Sequence, residues 1–252
     1  MTDAAEIRKR LRGAFIALRL PTMRETFAAE AERAVRENLN HEHFLLHMVE
    51  RECEERRERR VERLLFDSRL PLGKTLSAFD MKRLSVKARA QTSMLLTGEF
   101  VGRRDNVLAF GLPGTGKTHL LCGIARELAL AGHKVQYWSC VALVQELLQA
   151  KREFRLNAKL KMLSRYDVLL LDDIGYVEQS REEMEVLFTL LAERYERGSV
   201  MITSNLSFSK WEKIFKDPMT TAAAVDRLIH HCVILELNVK SYRREEAEQK
   251  AG

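Results

Sequence analysis

Residues 111–118 read Gly111-Leu112-Pro113-Gly114-Thr115-Gly116-Lys117-Thr118. An apolar run at 106–110 precedes them, and a helical pattern follows from His119. With this spacing, the glycines let several backbone N–H groups point at one phosphate group, which lies at the positive end of the next helix. Lys117 would reach the β and γ phosphates, and Thr118 would offer its hydroxyl to Mg²⁺. The pattern therefore predicts a phosphate-binding loop between a strand and a helix rather than an ordinary glycine-rich turn.

The composition predicts an ordinary soluble protein of one or two domains. Of 252 residues, 46% are hydrophobic, which is enough for a substantial core. No window approaches the roughly eighteen consecutive apolar residues of a membrane span, and no apolar run follows the charged first ten residues. We therefore expect no membrane association and a cytoplasmic location.

The cysteines give no sign of a metal or disulfide framework. They are widely separated in the sequence, with no Cys-x-x-Cys pair: Cys53, Cys122, Cys140 and Cys232. This distribution argues against both disulfides and a thiolate zinc site. Buried or free thiols are expected.

Most of the excess positive charge lies in the N-terminal part of the chain. The net charge is +6, and residues 1–90 contain 20 Lys or Arg against 15 Asp or Glu. An excess of this kind is compatible with an anionic partner such as nucleic acid, although many basic proteins bind none.

Three helices are predicted before residue 70. Apolar residues recur every three or four positions over 7–20, and again over 23–35, where Met23, Phe27 and Val35 would face inward. A long third helix starts at His41. It carries histidines at positions 41, 43 and 47, but no further ligand is apparent, so we favour plain surface or core histidines over zinc.

The middle of the third helix is charged on all sides and cannot pack into a core. Its arginines alternate with glutamates and include Arg56, Arg57, Arg59 and Arg60. Two interpretations stay open. The segment is either a solvated helix held by Glu–Arg pairs three and four residues apart, or a helix that contacts nucleic-acid phosphates.

The pattern predicts three segments: a helical N-terminal domain at 1–70, a linker and leading helix at 71–98, and an α/β domain at 99–252. Pro71 and Gly73 mark the first boundary. After the phosphate loop, apolar strands alternate with helices. This alternation is typical of a parallel sheet covered by helices on its faces.

Polar residues follow two of the predicted strands. Asp172 and Asp173 end the apolar run 168–171, and Asn205 follows the run 200–203. In a nucleotide site, the first carboxylate would hold the Mg²⁺ shell and the second would orient or deprotonate the attacking water. Asn205 would hydrogen-bond that water or the γ phosphate, although asparagine after a strand is also a common turn residue.

Two arginines are candidates for stabilising charge in the transition state. Arg227 lies in Ala-Ala-Val-Asp-Arg-Leu, and Arg243 lies in Ser-Tyr-Arg-Arg. Arginine remains charged and forks onto phosphate oxygens, which suits this task. Without a structural context, an arginine in a surface salt bridge is the competing interpretation.

Several of these motifs together resemble the IstB-like AAA+ ATPases that assist insertion-sequence transposases, with DnaC-type helicase loaders as close relatives. The motifs are the residues 106–119, Leu169-Leu-Leu-Asp-Asp-Ile-Gly-Tyr176, Thr203-Ser-Asn205, Asp226-Arg-Leu and Ser241-Tyr-Arg243. The N-terminal segments Leu20-Pro-Thr-Met23, Arg69-Leu-Pro71 and Lys74-Thr-Leu-Ser-Ala-Phe-Asp80 also resemble this family. The resemblance therefore covers nearly the whole chain.

The resemblance implies an AAA+ P-loop domain with a five-stranded parallel sheet and a reduced C-terminal lid, and it implies ATP and Mg²⁺ as ligands. Lys117 and Thr118 become the Walker A pair within a nucleotide-binding segment that extends to His119. Asp172 becomes the magnesium-associated Walker B acid, Asp173 the catalytic acid and Asn205 sensor 1. The remaining two roles, the arginine finger and the sensor 2 arginine, fall to Arg227 and Arg243. A finger acts on nucleotide in a neighbouring subunit, so a homo-oligomer is implied.

In initiator-type relatives, an extra helical element that follows the second strand faces DNA inside the assembly. The helix predicted here over 141–164 falls in the corresponding region. Its basic residues include Lys151, Arg152, Arg155 and Lys159, followed by Lys161 and Arg165. We expect this segment and the N-terminal domain to contact the phosphate backbone with little base specificity. A solvated charged face is the alternative for each residue.

The leading hypothesis is an ATP-dependent helper that assembles on duplex DNA, deforms it and delivers it to a transposase. One alternative is a helicase loader that prefers single-stranded DNA. Another is an adaptor that binds ATP with little turnover.

Overall fold

The structure is a computed structural model that describes residues 4–174, 180–206, 211, 225–239 and 241–242. The chain divides into two compact units, residues 1–63 and 64–252. The division falls inside the long third helix rather than at the proline-containing segment that starts at residue 71.

The first unit contains two helices and most of a third, and the third begins at His41 as predicted. They are α1 (Ala4–Ala17), α2 (Pro21–Arg36) and α3 (His41–Ser68). Pro21 occupies the first turn of α2, where its missing N–H is not needed. Met23, Phe27 and Met48 form the small buried core, and Phe15 packs against it with its ring 5.6 Å from that of Phe27.

A buried glutamate caps α2 from the neighbouring helix. The N-cap residue Leu20 has no side chain able to do so, and Glu52, only 2% exposed, accepts a hydrogen bond from the backbone N–H of Met23 at 2.9 Å. Arg56 donates to the same carboxylate at 2.8 Å. Burial acts to raise the pKa of Glu52, but these hydrogen bonds outweigh it and lower the pKa. The capping interaction therefore stabilises the unit at neutral pH and weakens as acid protonates the carboxylate.

The apolar faces of this unit are less buried than the sequence predicts. Val35, expected to face inward, is 82% exposed, and Leu11 and Leu18 are also exposed. The reason is that the core forms around the start of α2 and the start of α3, so the end of α2 has no apolar neighbour within it.

In the second unit, the described residues form five strands in a fully parallel sheet of order β2-β3-β4-β1-β5. The strands are β1 (Asn106–Phe110), β2 (Val135–Ser139), β3 (Val168–Ile174), β4 (Ser199–Ser204) and β5 (Cys232–Glu236). The flanking helices are α4 (Val86–Leu96), α5 (Glu99–Arg103), α6 (Lys117–Leu130), α7 (Cys140–Arg152), α8 (Leu156–Leu163) and α9 (Arg181–Arg194). Most residues of β1, β3 and β4 are fully buried, as expected for central strands covered on both faces. The predicted five-stranded α/β fold is confirmed.

Two predicted helices are interrupted. The leading helix begins as a short 3-10 turn at Met81–Arg83 and continues as α4 only after Ser85, whose hydroxyl accepts from the N–H of Ala88. The single helix predicted over 141–164 is instead α7 and α8, separated by a turn at residues 153–155. This correction matters because the turn exposes Phe154.

The four cysteines are free. Burial raises the pKa of both Cys122 and Cys232 to about 12, so these thiols stay protonated and unreactive near neutral pH. No described helix combines the length and apolar character that a membrane span needs.

Candidate nucleotide site

The phosphate loop follows the carboxyl end of β1 and leads directly into α6. Gly116 precedes the helix with φ +92°, in the left-handed region that favours glycine. A Cβ atom at this position would lie 2.8 Å from Cε2 of Phe79, so the close packing of that ring also requires glycine. The loop therefore presents bare backbone to the cleft at the start of the helix.

Lys117 is held inside the loop by backbone and side-chain oxygen atoms. Its Nζ donates to the carbonyls of Gly111 at 2.8 Å and Leu112 at 2.9 Å, and to Oδ1 of Asn205 at 2.6 Å. Because the residue is only 4% exposed, these bonds compensate for the burial of its charge. The structure thus brings together two predicted site residues, one from the loop and one from the end of β4.

Asp172 is buried, and both of its carboxylate oxygens accept hydrogen bonds. Thr203, on β4, donates to Oδ1 at 2.7 Å, and Tyr137, on β2, donates to Oδ2 at 2.9 Å. Burial, followed by the nearby Asp172 charge, raises the pKa of Tyr137 well above its ordinary value, so its hydroxyl remains a donor. The two neighbouring strands therefore fix the orientation of this carboxylate.

Asp173 lies at a break in the strand. The pairing of β3 with β4 shifts register between Leu171 and Ile174, and Asp173 has φ +60°. Its backbone N–H donates to Thr203 Oγ1 at 2.8 Å, so the same hydroxyl holds both acidic residues. The bulge turns the second carboxylate toward the cleft, a common use of strand irregularities at sites.

The cleft also contains residues that the sequence reasoning did not assign to it. Its volume is about 380 Å³, and Lys74, Phe79 and Tyr242 line it beside the loop. The Phe79 ring packs edge-on to His119 at 5.4 Å, and the N–H of Tyr242 donates to the carbonyl of Gly114 at 2.9 Å. Phe79 and Tyr242 both lie in segments that resemble the family, and this was the only sequence signal for them. Because both are far from the phosphate loop in sequence, nothing predicted that they would line the cleft.

The residues present fit a magnesium ion that arrives with nucleotide phosphates. Such an ion needs few protein oxygen ligands, because phosphate oxygens and water complete its shell. Thr118 lines the cleft, and each Asp172 oxygen keeps a lone pair beyond the bond that it accepts. Within the described part of the chain, no cluster of three or more His, Cys, Asp or Glu could hold a metal, which includes the histidines of α3.

Arg227 lies at the other end of the sheet. It shares a pocket with Asn106, the first residue of β1, whose side chain donates to the carbonyl of Leu228 at 3.2 Å. The length of β1, about 16 Å at 3.3 Å per residue, separates this pocket from the phosphate loop. The Arg227 guanidinium lies 5.0 Å from the centre of the Phe188 ring, and its Nη1 atom has no hydrogen-bond partner among the described residues. Arg243 falls outside the described residues.

The arginines of α3 divide into two groups. Arg56 bonds to Glu52 and to the carbonyl of Arg19, and Arg59 bonds to Glu55 at 3.2 Å. Within the described residues, Arg57 and Arg60 make no ion pair. The helix therefore combines the Glu–Arg pairing expected of a solvated helix with exposed arginines, Arg57 and Arg60 among them, that remain available for phosphates.

The basic residues of α7 and α8 are divided in the same way. Lys151 pairs with Glu185 at 2.7 Å, Lys159 pairs with Glu146 at 2.6 Å, and Arg155 pairs with Glu153. Arg152 is exposed and has no ion pair in the parts of the chain that are described. Three of the four predicted DNA contacts on this segment thus already have an acidic neighbour.

Comparison with known proteins identifies the chain's relatives. The model of a family described as IstB-like ATP binding protein matches residues 14–250. An insertion-sequence ATP-binding protein of Sinorhizobium fredii is 42% identical over 231 residues, covering 91% of this chain and 78% of that protein. The ATP-binding protein of insertion sequence IS21 from Pseudomonas aeruginosa is 39% identical over 221 residues, covering 88% of this chain and 83% of that protein.

Among solved structures, a crystal structure of the DnaC helicase loader superposes with a TM-score of 0.55. It is 17% identical and covers 67% of this chain and 98% of that chain. At this identity the likeness establishes the fold alone, which is the predicted AAA+ P-loop fold.

Proposed function

This chain belongs to the family of IstB-like ATP-binding proteins, and from that premise we propose that it is an ATPase that assembles on duplex DNA and prepares it for a transposase. The observation that carries the proposal is the convergence of Lys117, Asp172, Asp173 and Asn205 at the carboxyl ends of three neighbouring strands. This is the edge of an open α/β sheet at which ligands bind. Its relatives belong to insertion sequences, which is why we choose a transposase as the partner.

The chain's own residues supply the chemistry of hydrolysis. Lys117 exchanges some of its present oxygen acceptors for the β and γ phosphate oxygens, while Asn205 remains in place to orient the attacking water. Asp173 accepts a proton from that water as its oxygen attacks the γ phosphorus and the bond to the bridging oxygen of ADP breaks. Thr118 and Asp172 would hold Mg²⁺, which when bound neutralises charge on the phosphate oxygens.

Arg227 acts on a neighbouring subunit in this proposal. Its distance from the loop of its own chain leaves it without a role there, and its guanidinium has no carboxylate partner within the described residues. A homo-oligomer that brings this pocket against the next subunit's cleft would let the guanidinium stabilise charge on the transferred phosphoryl group. The active unit is then the oligomer, and a single chain hydrolyses ATP slowly.

DNA binding rests on the exposed basic residues of the two units. Arg57 and Arg60 on α3, and Arg152 with its neighbours in the α7–α8 turn, offer phosphate contacts that carry no base information. We therefore expect affinity to fall steeply as salt rises and to depend little on sequence.

The proposal is tested by fluorescence anisotropy of labelled double- and single-stranded DNA of equal length. The protein is titrated with Mg·ATP, with Mg·ADP and without nucleotide, each at two salt concentrations. We expect tight, salt-sensitive duplex binding that requires ATP. A preference for single strands would instead favour a helicase loader, and absence of DNA binding in all conditions would favour an adaptor that acts on proteins.

A further inference from the structure

The turn between α7 and α8 carries an aromatic side chain that contacts almost nothing. Phe154 is 99% exposed, more than any other large hydrophobic residue among the described residues. Single exposed apolar residues are common on protein surfaces and need no explanation by themselves. A second property of the same residue is what makes its exposure informative.

The backbone of Phe154 adopts a conformation that favours glycine. Its φ is +56°, immediately after the C-cap residue of α7. The N–H of Phe154 bonds to the carbonyl of Lys151, and the N–H of Arg155 bonds to the carbonyl of Ala150, the pattern of a helix end that usually has glycine at this position. The other non-glycine residues with positive φ in the described chain are all polar: Arg19, Asn38, Arg69, Arg104, Asp173 and Glu196. Phe154 therefore accepts backbone strain while gaining no burial for its ring.

The surroundings of Phe154 are strongly basic. Residues 151–165 contain six Lys or Arg and a single Glu. Lys151, Arg155 and Lys159 each pair with a glutamate, which leaves Arg152, Lys161 and Arg165 without an ion pair among the described residues. Arg152 and Arg155 lie on either side of the turn, and both are exposed. A polyanion is the partner that such a surface fits, and an apolar side chain at its centre needs an apolar place within that polyanion.

Duplex DNA offers such a place between its stacked base pairs. Proteins that bend DNA often insert a Phe, Leu, Ile, Met or Pro side chain from the minor groove while nearby Arg and Lys neutralise the phosphates. We propose that Phe154 is a wedge that inserts between base pairs and kinks duplex DNA, with Arg152, which has no ion pair among the described residues, on an adjacent phosphate. This inference rests on the proposed function, and it adds the side chain by which the DNA is deformed.

The test uses the full-length protein with Mg·ATP, two duplex probes and a single-stranded form of the first probe. One duplex contains 2-aminopurine, whose fluorescence rises when its base unstacks, and the other carries a donor and an acceptor dye at its ends to report bending. The variants are Phe154→Ala, Phe154→Gly and Phe154→Trp. Phe66→Ala is the matched control, because Phe66 is also a highly exposed phenylalanine, at 86%. Binding of each protein is followed separately by anisotropy.

We expect wild type, Phe66→Ala and Phe154→Trp to give a several-fold rise in 2-aminopurine fluorescence and closer duplex ends. Phe154→Ala and Phe154→Gly should still bind but should lose both signals. The glycine variant guards against misfolding, since glycine suits the left-handed backbone at this turn.

Four results would overturn the wedge. Duplex binding by wild type without a fluorescence rise would reject it while leaving the proposed function intact, and so would unchanged unstacking and bending by Phe154→Ala. Failure of wild type to bind duplex DNA would reject both the wedge and the proposed function. A rise seen only with single-stranded probes would show that Phe154 stacks on unpaired bases instead.

Discussion

The phosphate loop and the α7–α8 turn both place a non-helical segment at the end of a helix, but they use residue types in opposite ways. In the loop, glycine occupies the position with φ +92°, and the buried Lys117 side chain donates hydrogen bonds to oxygen atoms of the loop and of Asn205. In the turn, phenylalanine occupies the position with φ +56° and its ring faces solvent.

The difference shows two ways in which a chain encodes a site. In the loop, every local preference agrees with the conformation, so the residue types alone predict both the structure and its ligand. In the turn, phenylalanine disfavours the left-handed backbone conformation that it adopts, and only the structure shows this conflict. Phe154 combines a strained backbone conformation with an exposed apolar ring, and neither feature stabilises the fold. Such strain is typical of functional positions.

The largest expected effect is in the cleft. Asp173→Asn should lower DNA-stimulated ATP hydrolysis by about 10²- to 10⁴-fold, the usual contribution of a positioned general base. Asparagine tolerates positive φ well, so the fold and ATP binding should remain. Phosphate release at saturating ATP measures this change, with the exposed Asp67→Asn on α3 as the control. Turnover at the wild-type rate would remove Asp173 from the chemistry.

Lys117→Ala should weaken ATP binding by about a hundredfold, because a charge-assisted contact to phosphate is lost. Titration with a fluorescent ATP analogue measures the affinity, and exposed Lys134→Ala should leave it unchanged. If both lysine variants bind alike, the cleft does not recognise phosphate through Lys117.

Tyr137→Phe should lower the hydrolysis rate by about tenfold while ATP affinity stays the same, because one hydrogen bond to the Asp172 carboxylate disappears. We also expect half-maximal hydrolysis to need more Mg²⁺, a change that general loosening of the fold would not produce. Tyr166→Phe is the matched control, since that hydroxyl bonds Gln136 rather than the site. An unchanged magnesium requirement would mean that Thr203 alone positions Asp172.

The smallest expected effect belongs to the turn. Phe154→Gly should stabilise the protein by about 1 kcal/mol, because glycine relieves the left-handed strain and no buried contact is lost. Chemical unfolding measures the gain, and ATP hydrolysis without DNA should not change. A loss of stability would show that the ring makes contacts that its exposure conceals.

Much of the fold and the cleft was predictable because it depends on short-range patterns. The apolar runs that became β1, β3 and β4 were readable as buried strands, and the acids near the carboxyl end of β3 were readable as part of a site. Their meeting with Lys117 follows from the geometry of parallel strands, whose carboxyl ends share one edge.

The remaining features depend on contacts between distant residues. Tyr137 on β2 donates a hydrogen bond to Asp172 on the neighbouring strand β3, and Glu52 caps a helix that begins 31 positions earlier, at Pro21. Neither contact can be recognised from the residues next to it in sequence. The break at Phe154 was missed because neither Gly nor Pro marks it. Val35 was misassigned because helical periodicity indicates an apolar face but not whether a neighbour covers it.

The most direct test of hydrolysis shared between subunits mixes two inactive variants. Asp173→Asn keeps Arg227 but lacks the acid, and Arg227→Ala keeps the acid but lacks the guanidinium. If Arg227 acts on the neighbouring subunit, random mixing of equal amounts should restore about a quarter of the wild-type hydrolysis rate, because that share of sites receives both groups. A mixture as inactive as either variant alone would contradict the assignment and place the site within a single chain.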